Sequence, residues 1–306
     1  MKSEILNDNP LAGVLRDLSS INEIRNHEIY CPIAKVRGLM SPLHASDDMK
    51  LKTMIVSIDL YDQELSALLY NHCRFPELES QNITVSWKDF LEGMSYLDRQ
   101  VMLWGLFAAT YKTLDPQTIS CPYCSNEITD TIHANDLLQD DSLVQWEHSD
   151  PFTEYTFPIE YVIESETSAI DKVVFHTQLS NISRHIELLG IIPSEKLRQN
   201  YEKSNSLFSS TEELTSVTTK FEIVYKDPEK ESFVTDNLRQ IHMLIQTQVT
   251  LDVSEDVLEK FDDHFNKYVP RFYKKYECST CKRDFTYNVN LELSFFRRFL
   301  RGRYNM

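Results

Sequence analysis

Cys121-Pro122-Tyr123-Cys124 and Cys278-Ser279-Thr280-Cys281 are two CxxC turns in a chain of 306 residues, with 153 residues between them. Four thiolates in two such pairs make the tetrahedral set that a structural Zn²⁺ takes, and each pair closes a turn whose backbone N–H groups point at the sulfurs. A zinc ribbon usually separates its pairs by about 15–20 residues. The spacing here therefore predicts a split site, with Cys121, Cys124, Cys278 and Cys281 on one metal and a long insertion hung from it. Such a site ties the chain before Cys121 to the chain after Cys281. Two other readings stay open on the residues alone. Cys-Pro-Tyr-Cys is also the active-site tetrapeptide of glutaredoxins, thiol–disulfide oxidoreductases in which the second cysteine opens a helix that stabilises the thiolate. Two independent disulfides are the third reading. Ser125-Asn126-Glu127-Ile128-Thr129-Asp130-Thr131-Ile132 reads as the return strand of a knuckle, not as an amphipathic helix start, and this favours the metal. Cys31 and Cys73 stand singly among apolar residues and are expected to be buried free thiols.

Composition sets the outer limits. Apolar residues make up 42% and aromatics 11%, enough for one large or two modest cores. With six glycines and neither GxGxxG nor GxxxxGK[ST], a glycine-rich phosphate loop is excluded. No HExxH, HxE…PCxxC or GxSxG motif is present either, so the chain is not expected to be an enzyme. His133 and His148, near the first knuckle, are candidate alternate metal ligands but read better as solvated loop histidines. Asp140 and Asp141 read as surface charge. The N-terminus lacks a basic start followed by an apolar run, and the longest apolar run, Val101 to Ala109, is too short to span a bilayer. A soluble protein of a reducing compartment is expected, which again favours a metal over disulfides.

Charge is unevenly placed. Thr113 to Asp171 holds 13 Asp and Glu and no Lys or Arg. Arg271 to Met306 holds nine Lys and Arg against three acids, so it carries +6 while the rest of the chain carries −22. One account is solubility for the acidic part and a cation-friendly helix C-terminus for the basic part. The other is a basic tail seated on an acidic surface, its own or a neighbour's.

Hydropathy patterning predicts an α+β fold in which residues 1–120 form a mainly helical N-terminal region. Residues 121–138 and 255–306 form a split zinc-ribbon-like clasp with a C-terminal strand and basic helix, and 139–254 form an inserted α+β lobe. Asn9 and Pro10 open an amphipathic helix through Leu11, Val14, Leu15, Leu18 and Ile21. A strand and a loop are expected around Ile33-Ala34-Lys35-Val36, and helices over 47–59 and 63–73. Ser86-x-x-Asp89 and Ser95-x-x-Asp98 are capping boxes, the second ahead of a core helix from Tyr96 to about Tyr111. In the lobe, Tyr155, Phe157, Ile159, Tyr161 and Ile163 alternate as a strand that turns at 164–168 and returns over Lys172 to His176. A helix over 181–189 is expected to end at Gly190 in the left-handed cap position, and another to start at Ser194. The stretch 203–213 reads as a loop, 221–225 as a strand, and 236–248 as a helix, followed by one capped by Ser254. Phe285, Tyr287, Val289 and Leu291 alternate as a strand. Phe295 to Arg301 reads as an aromatic-basic helix, a covered core edge or a docking tail. The lobe is expected to project from the clasp as a surface for partners.

The run Ser95-Tyr-Leu-Asp-Arg-Gln-Val-Met-Leu-Trp-Gly-Leu-Phe-Ala-Ala-Thr110, then Ile119-Ser-Cys-Pro-Tyr-Cys124, then Ile132 to Leu138, resembles the baseplate hub proteins of T-even-like contractile-tailed bacteriophages. The resemblance covers residues 31–140 and 255–300, and Cys278 and Cys281 sit where that family places its second cysteine cluster. Ser125 and Lys282 depart from it by standing where many knuckles have glycine, and the insertion is long. The resemblance implies a non-catalytic structural or assembly component of a tail baseplate with a structural zinc and no small-molecule substrate. Its partners would be other tail or baseplate proteins, or further copies of itself. It would reside in the virion or in the host bacterial cytoplasm during assembly. A second expectation, from residues alone, is a zinc-ribbon nucleic-acid binder using the basic C-terminal segment; a net charge of −16 weighs against it.

Overall fold

The computed structural model describes residues 25–44, 46–47, 61–111, 113–114, 116–133, 136–139, 156–204, 208–265 and 272–289. The helices expected over 9–21 and 295–301, nearly all of the helix over 47–59, and His148, Asp140, Asp141, Tyr155 and Leu291 lie outside these residues. The described chain is mixed α+β, and its sheets are antiparallel throughout.

Strands β1 (His27–Cys31) and β2 (Val36–Met40) form a hairpin. Of the strand and loop expected around Ile33–Val36, Ile33, Ala34 and Lys35 thus lie in the turn and Val36 opens β2. Lys35 takes a positive φ of 52° there, and the Ile33 and Ala34 amides donate to the Asp98 carboxylate at 2.9 and 3.2 Å. Those amides satisfy a side chain and leave nothing for a ladder. Helix α1 (Tyr61–His72) buries Leu65, Leu68 and Leu69; β3 (Cys73–Arg74) then adds to β2. Helices α2 (Pro76–Ser80), α3 (Trp87–Gly93) and α4 (Tyr96–Tyr111) follow.

Both capping boxes form as expected. Asp89 N–H donates to Ser86 Oγ at 3.2 Å while Ser86 N–H donates to Asp89 Oδ2 at 3.1 Å. Ser95 and Asp98 repeat the exchange at 3.0 Å each way. Helix α4 lies so close to the first sheet that a Cβ on Gly105 would stand 2.3 Å from Ile29 Cγ2 and 2.8 Å from Met40 Cγ. Glycine is needed there for close approach, not for backbone freedom.

After α4 come the hairpin β4 (Gln117–Ser120) and β5 (Glu127–Asp130), and the short β6 (Leu138–Gln139). The lobe opens with β7 (Phe157–Val162) and β8 (Ile170–Thr177), paired as the alternation predicts. Helices α5 (Ile182–Ile191), α6 (Ser194–Ser204) and α7 (Ser210–Val217) lead to β9 (Thr218–Tyr225) and β10 (Phe233–Thr235). Helices α8 (Leu238–Gln248) and α9 (Leu251–Phe265) complete it. The four lobe strands run in the order β10-β9-β8-β7. Ile159, Phe175 and Phe221 on one sheet face meet Leu214, Ile241, Ile245, Val257 and Phe261 from the helices. The chain ends its described course in the hairpin β11 (Phe272–Glu277) and β12 (Asp284–Asn288), with β6 on the far side of β11.

Four expectations for the lobe change. No described glycine has positive φ, and α5 runs through Gly190 to Ile191. The stop is Ile192, extended at φ −83° and ψ 132°, because Pro193 drives the residue before it out of the helical region. The stretch 203–213 is not one loop. Ser209 N–H donates to Glu212 Oε2 at 2.9 Å in a third capping box, so α7 begins inside it. Ser254 does not cap α9; it sits in the first turn, its hydroxyl donating to the Thr250 carbonyl at 3.1 Å.

Finally, the lobe does not project freely. Ser95 and Asn181 form a β-bridge; Tyr96 N–H donates to Ser180 O at 2.9 Å, and Ile182 N–H to Met94 O at 3.0 Å. Ile33 and Leu97, from the N-terminal part, belong to the lobe's own core. Beneath this seam the fully buried Asp62 of α1 receives Arg99 Nη1 at 2.6 Å and has His185 Nε2 of α5 at 2.7 Å. Tyr96 lies against both, with the Arg99 guanidinium 4.1 Å over its ring and the His185 ring stacked at 4.6 Å.

Candidate metal centre

Each CxxC turn sits at the tip of a hairpin, and the two tips are built alike. In the first, Cys121 N–H donates to Asn126 O at 2.9 Å and Ser125 N–H to Cys121 O at 2.9 Å. In the second, Cys278 N–H donates to Arg283 O at 3.0 Å and Lys282 N–H to Cys278 O at 2.9 Å. Ser125 and Lys282 both take φ 58°. These are the two places where the sequence departs from the usual glycine, and the left-handed backbone explains why glycine is usual.

The tips bring together the four cysteines that the sequence singles out. The sulfurs of Cys121, Cys124, Cys278 and Cys281 all lie within 4.8 Å of one another. Across the tips, Cys121 Sγ is 3.7 Å from Cys281 Sγ, and Cys124 Sγ is 3.5 Å from Cys278 Sγ. A tetrahedral ion with metal–sulfur bonds of about 2.3 Å needs an edge of about 3.8 Å, so the set fits such an ion. All six cysteines are free thiols, including buried Cys31 and half-buried Cys73; a disulfide needs sulfurs about 2.05 Å apart.

Two of the four thiols are shifted in opposite directions. The Cys278 thiol is drawn down to about 6, first by the Cys281 N–H and then by the Thr280 N–H and the sulfurs beside it. Cys124 goes the other way. The Asn126 N–H favours its thiolate, yet partial desolvation and the three neighbouring sulfurs push it up to about 12. A cation held among the sulfurs would favour their thiolate forms.

The buried half of the site grows from the core. Cys121 and Cys278 are almost fully enclosed, in one cluster with Ile119, Ile132, Phe272 and Phe285 and with Leu106 and Phe107 of α4. Cys124 is exposed and Cys281 half-buried, so the site is packed on one side and wet on the other. Trp104 serves this packing, its ring stacked 5.1 Å from Phe272. β5 follows Cys124 where the glutaredoxin reading requires a helix, and Cys121 is the enclosed sulfur, not the accessible one. His133 pairs with Thr113 in a β-bridge and is not among the clustered ligands.

A polar strut that motif reading missed joins the two hairpins. Asp130 Oδ2 accepts from Lys274 Nζ at 2.8 Å and from the Tyr276 hydroxyl at 2.9 Å. Lys274 also lies 3.5 Å from Asp136. The Lys274 hydrogen bond holds Asp130 below its ordinary value; burial, followed by that carboxylate, pushes the Tyr276 hydroxyl up. The signal for this strut was the charge asymmetry. Lys274 belongs to the basic segment and Asp130 and Asp136 to the acidic one, so this part of the basic segment is seated on the chain's own acids. At the tips, Arg283 lies 5.2 Å over the exposed Tyr123 ring.

Comparison with known proteins adds no family: no family model, no curated protein and no solved structure matches this chain. Among the described residues no helix is long and apolar enough to cross a membrane.

Proposed function

We propose that the chain is a non-catalytic structural or assembly protein in which Zn²⁺, held by Cys121, Cys124, Cys278 and Cys281, clasps two distant segments onto one core. The observation that carries this reading is the four-sulfur cluster assembled from two matched hairpin tips. Zinc suits an all-thiolate tetrahedral set with no open position, and such a site contributes folding energy without turning over a substrate. Native mass spectrometry against the denatured mass tests it. One zinc per chain is expected, and a metal-free chain lighter by two hydrogens per CxxC would sink it.

The setting we propose is the hub region of a contractile phage tail baseplate, with other tail or baseplate proteins as partners. Its support is the resemblance of Ser95–Thr110 and Ile119–Cys124, which here form one continuous unit. Helix α4 packs in the same core as the knuckles, and Leu114 N–H donates to Ile132 O at 2.8 Å just beyond it. An antibody to the chain, used on gradient fractions of a contractile-tailed phage lysate, should find it in tails or tail-assembly intermediates. Its absence from all such fractions would rule out the baseplate setting and leave the clasp untouched.

A further inference from the structure

Among the described residues β12 is the outer strand of the clasp sheet, ordered β12-β11-β6. Two backbone bonds fix which way its groups point. Cys278 N–H donates to Arg283 O at 3.0 Å and Val289 N–H to Phe272 O at 2.8 Å, bracketing a regular register from Glu277↔Asp284 to Tyr273↔Asn288. Because the pairs alternate, Phe285 and Tyr287 turn their amides toward β11. Asp284, Thr286 and Asn288 turn theirs outward, and all three residues are exposed. A groove of about 710 Å³ lined by Pro122, Tyr123, Lys275, Glu277, Asp284 and Thr286 opens beside this strand.

The lobe shows how this protein guards an edge. Ile163 N–H donates to Asp171 O at 2.8 Å, which by the register of β7 with β8 turns Pro158, Glu160 and Val162 outward. Pro158 has no N–H to offer and Glu160 adds a charge, both standard blocks to strand addition. The opposite lobe edge, β10, is three residues long. β12 has no proline at its outward positions, its one charge there, Asp284, stands at the strand's first residue, and it runs five residues.

We infer that the outer edge of β12 pairs antiparallel with β12 of a second copy of this chain, about a two-fold axis at Thr286. The occupant is argued from self-complementarity. In that register Thr286 meets Thr286, Asp284 of one copy meets Asn288 of the other, and Phe285 meets Tyr287. These are the threonine, polar and aromatic pairs that stabilise cross-strand contacts, and no like charges stand opposite one another. The interface is isologous, as a closed dimer requires, and it joins two clasp sheets into one. It goes beyond the zinc clasp and the baseplate setting, and either could hold without it.

Sedimentation velocity of the zinc-loaded full chain tests this, together with Thr286→Pro. The Thr286 N–H makes no bond to β11, so proline there removes only an outward donor. A dimer whose fraction rises with concentration is expected for the wild type, and a monomer with unchanged zinc content for Thr286→Pro. A wild type that stays monomeric at every concentration, or a dimer that survives in Thr286→Pro, would overturn the inference. Should the variant lose zinc, hydrogen exchange of the wild type decides. Slowing at the Asp284, Thr286 and Asn288 amides as concentration rises supports the pairing, and unprotected amides at all concentrations refute it.

Discussion

Two junctions hold distant parts of this chain together, and they work by opposite physics. The clasp joins β4–β5 to β11–β12 through four clustered sulfurs, two enclosed in a shared core and two nearer water, a group that could hold a metal ion. The seam joins the lobe to α1 and α4 through the Asp62–Arg99 ion pair with the His185 ring beside it, a cluster supplied by the chain itself and almost fully shut from water. On the proposed reading the first draws its strength from a bound ion and is open to chelation. The second depends on having every buried charge matched, and it fails when one partner is taken away.

The largest effect is expected at the clasp. Zinc binding to such sites carries apparent energies of about 10–16 kcal/mol in small peptides at neutral pH. Cys121→Ser or Cys278→Ser, or a strong chelator, should therefore unfold the clasp hairpins. Loss of near-UV ellipticity and a steep fall in Tm would register it; wild-type melting in both variants would refute the clasp.

At the seam the expected effect is smaller. Asp62→Asn leaves the Arg99 guanidinium buried without its carboxylate, at a cost of about 3–5 kcal/mol, read by denaturant unfolding. Burial alone would raise the Asp62 carboxyl. Arg99 and His185 more than offset it and hold it well below the usual carboxylate range. The unfolded value is about 3.9 and the folded value lies lower, so the stability from this group is fully present above the unfolded value. It is lost as pH falls through the folded one. The variant should flatten that acid limb, and an identical acid profile for wild type and variant would remove the seam from the account.

Smaller changes sharpen the contrast by loosening or tightening what surrounds the junctions. Gly105→Ala gains about 1 kcal/mol of helix propensity but drives a methyl into Ile29 and Met40. Overpacking of about 1–3 kcal/mol outweighs that gain, so a net loss in Tm is expected. Ser125→Gly and Lys282→Gly release a left-handed strain of about 1–2 kcal/mol, partly offset by about 0.5–1 kcal/mol of added chain entropy. Each should raise the melting temperature slightly with zinc bound, and a decrease would mean the tips are not held as described.

Local chemistry was legible wherever one residue type or one period decides the outcome. The four clustered cysteines stand out because CxxC places two sulfurs on one turn, and Tyr96–Tyr111 because its apolar residues recur at helical spacing behind a capping box. Reading faltered where composition masked a local signal. Ser209-x-x-Glu212 is a capping box, but the serines and threonines around it suggested a loop. It faltered again where a neighbour set the boundary, as Pro193 does for α5.

From the sequence alone came the two CxxC turns, the α+β character and the helix and strand periods, because those rest on bonds and spacings within a few residues. Only the tertiary structure decided that the Ile33 and Ala34 amides go to Asp98, that Lys274 rests on Asp130, and that the lobe is bolted down by Asp62, Arg99 and His185. Asp62 and Arg99 are 37 positions apart. A lone aspartate on a helix looks the same whether it faces water or a buried arginine. Which it meets is fixed only when the helices pack, and desolvation then makes the pairing matter.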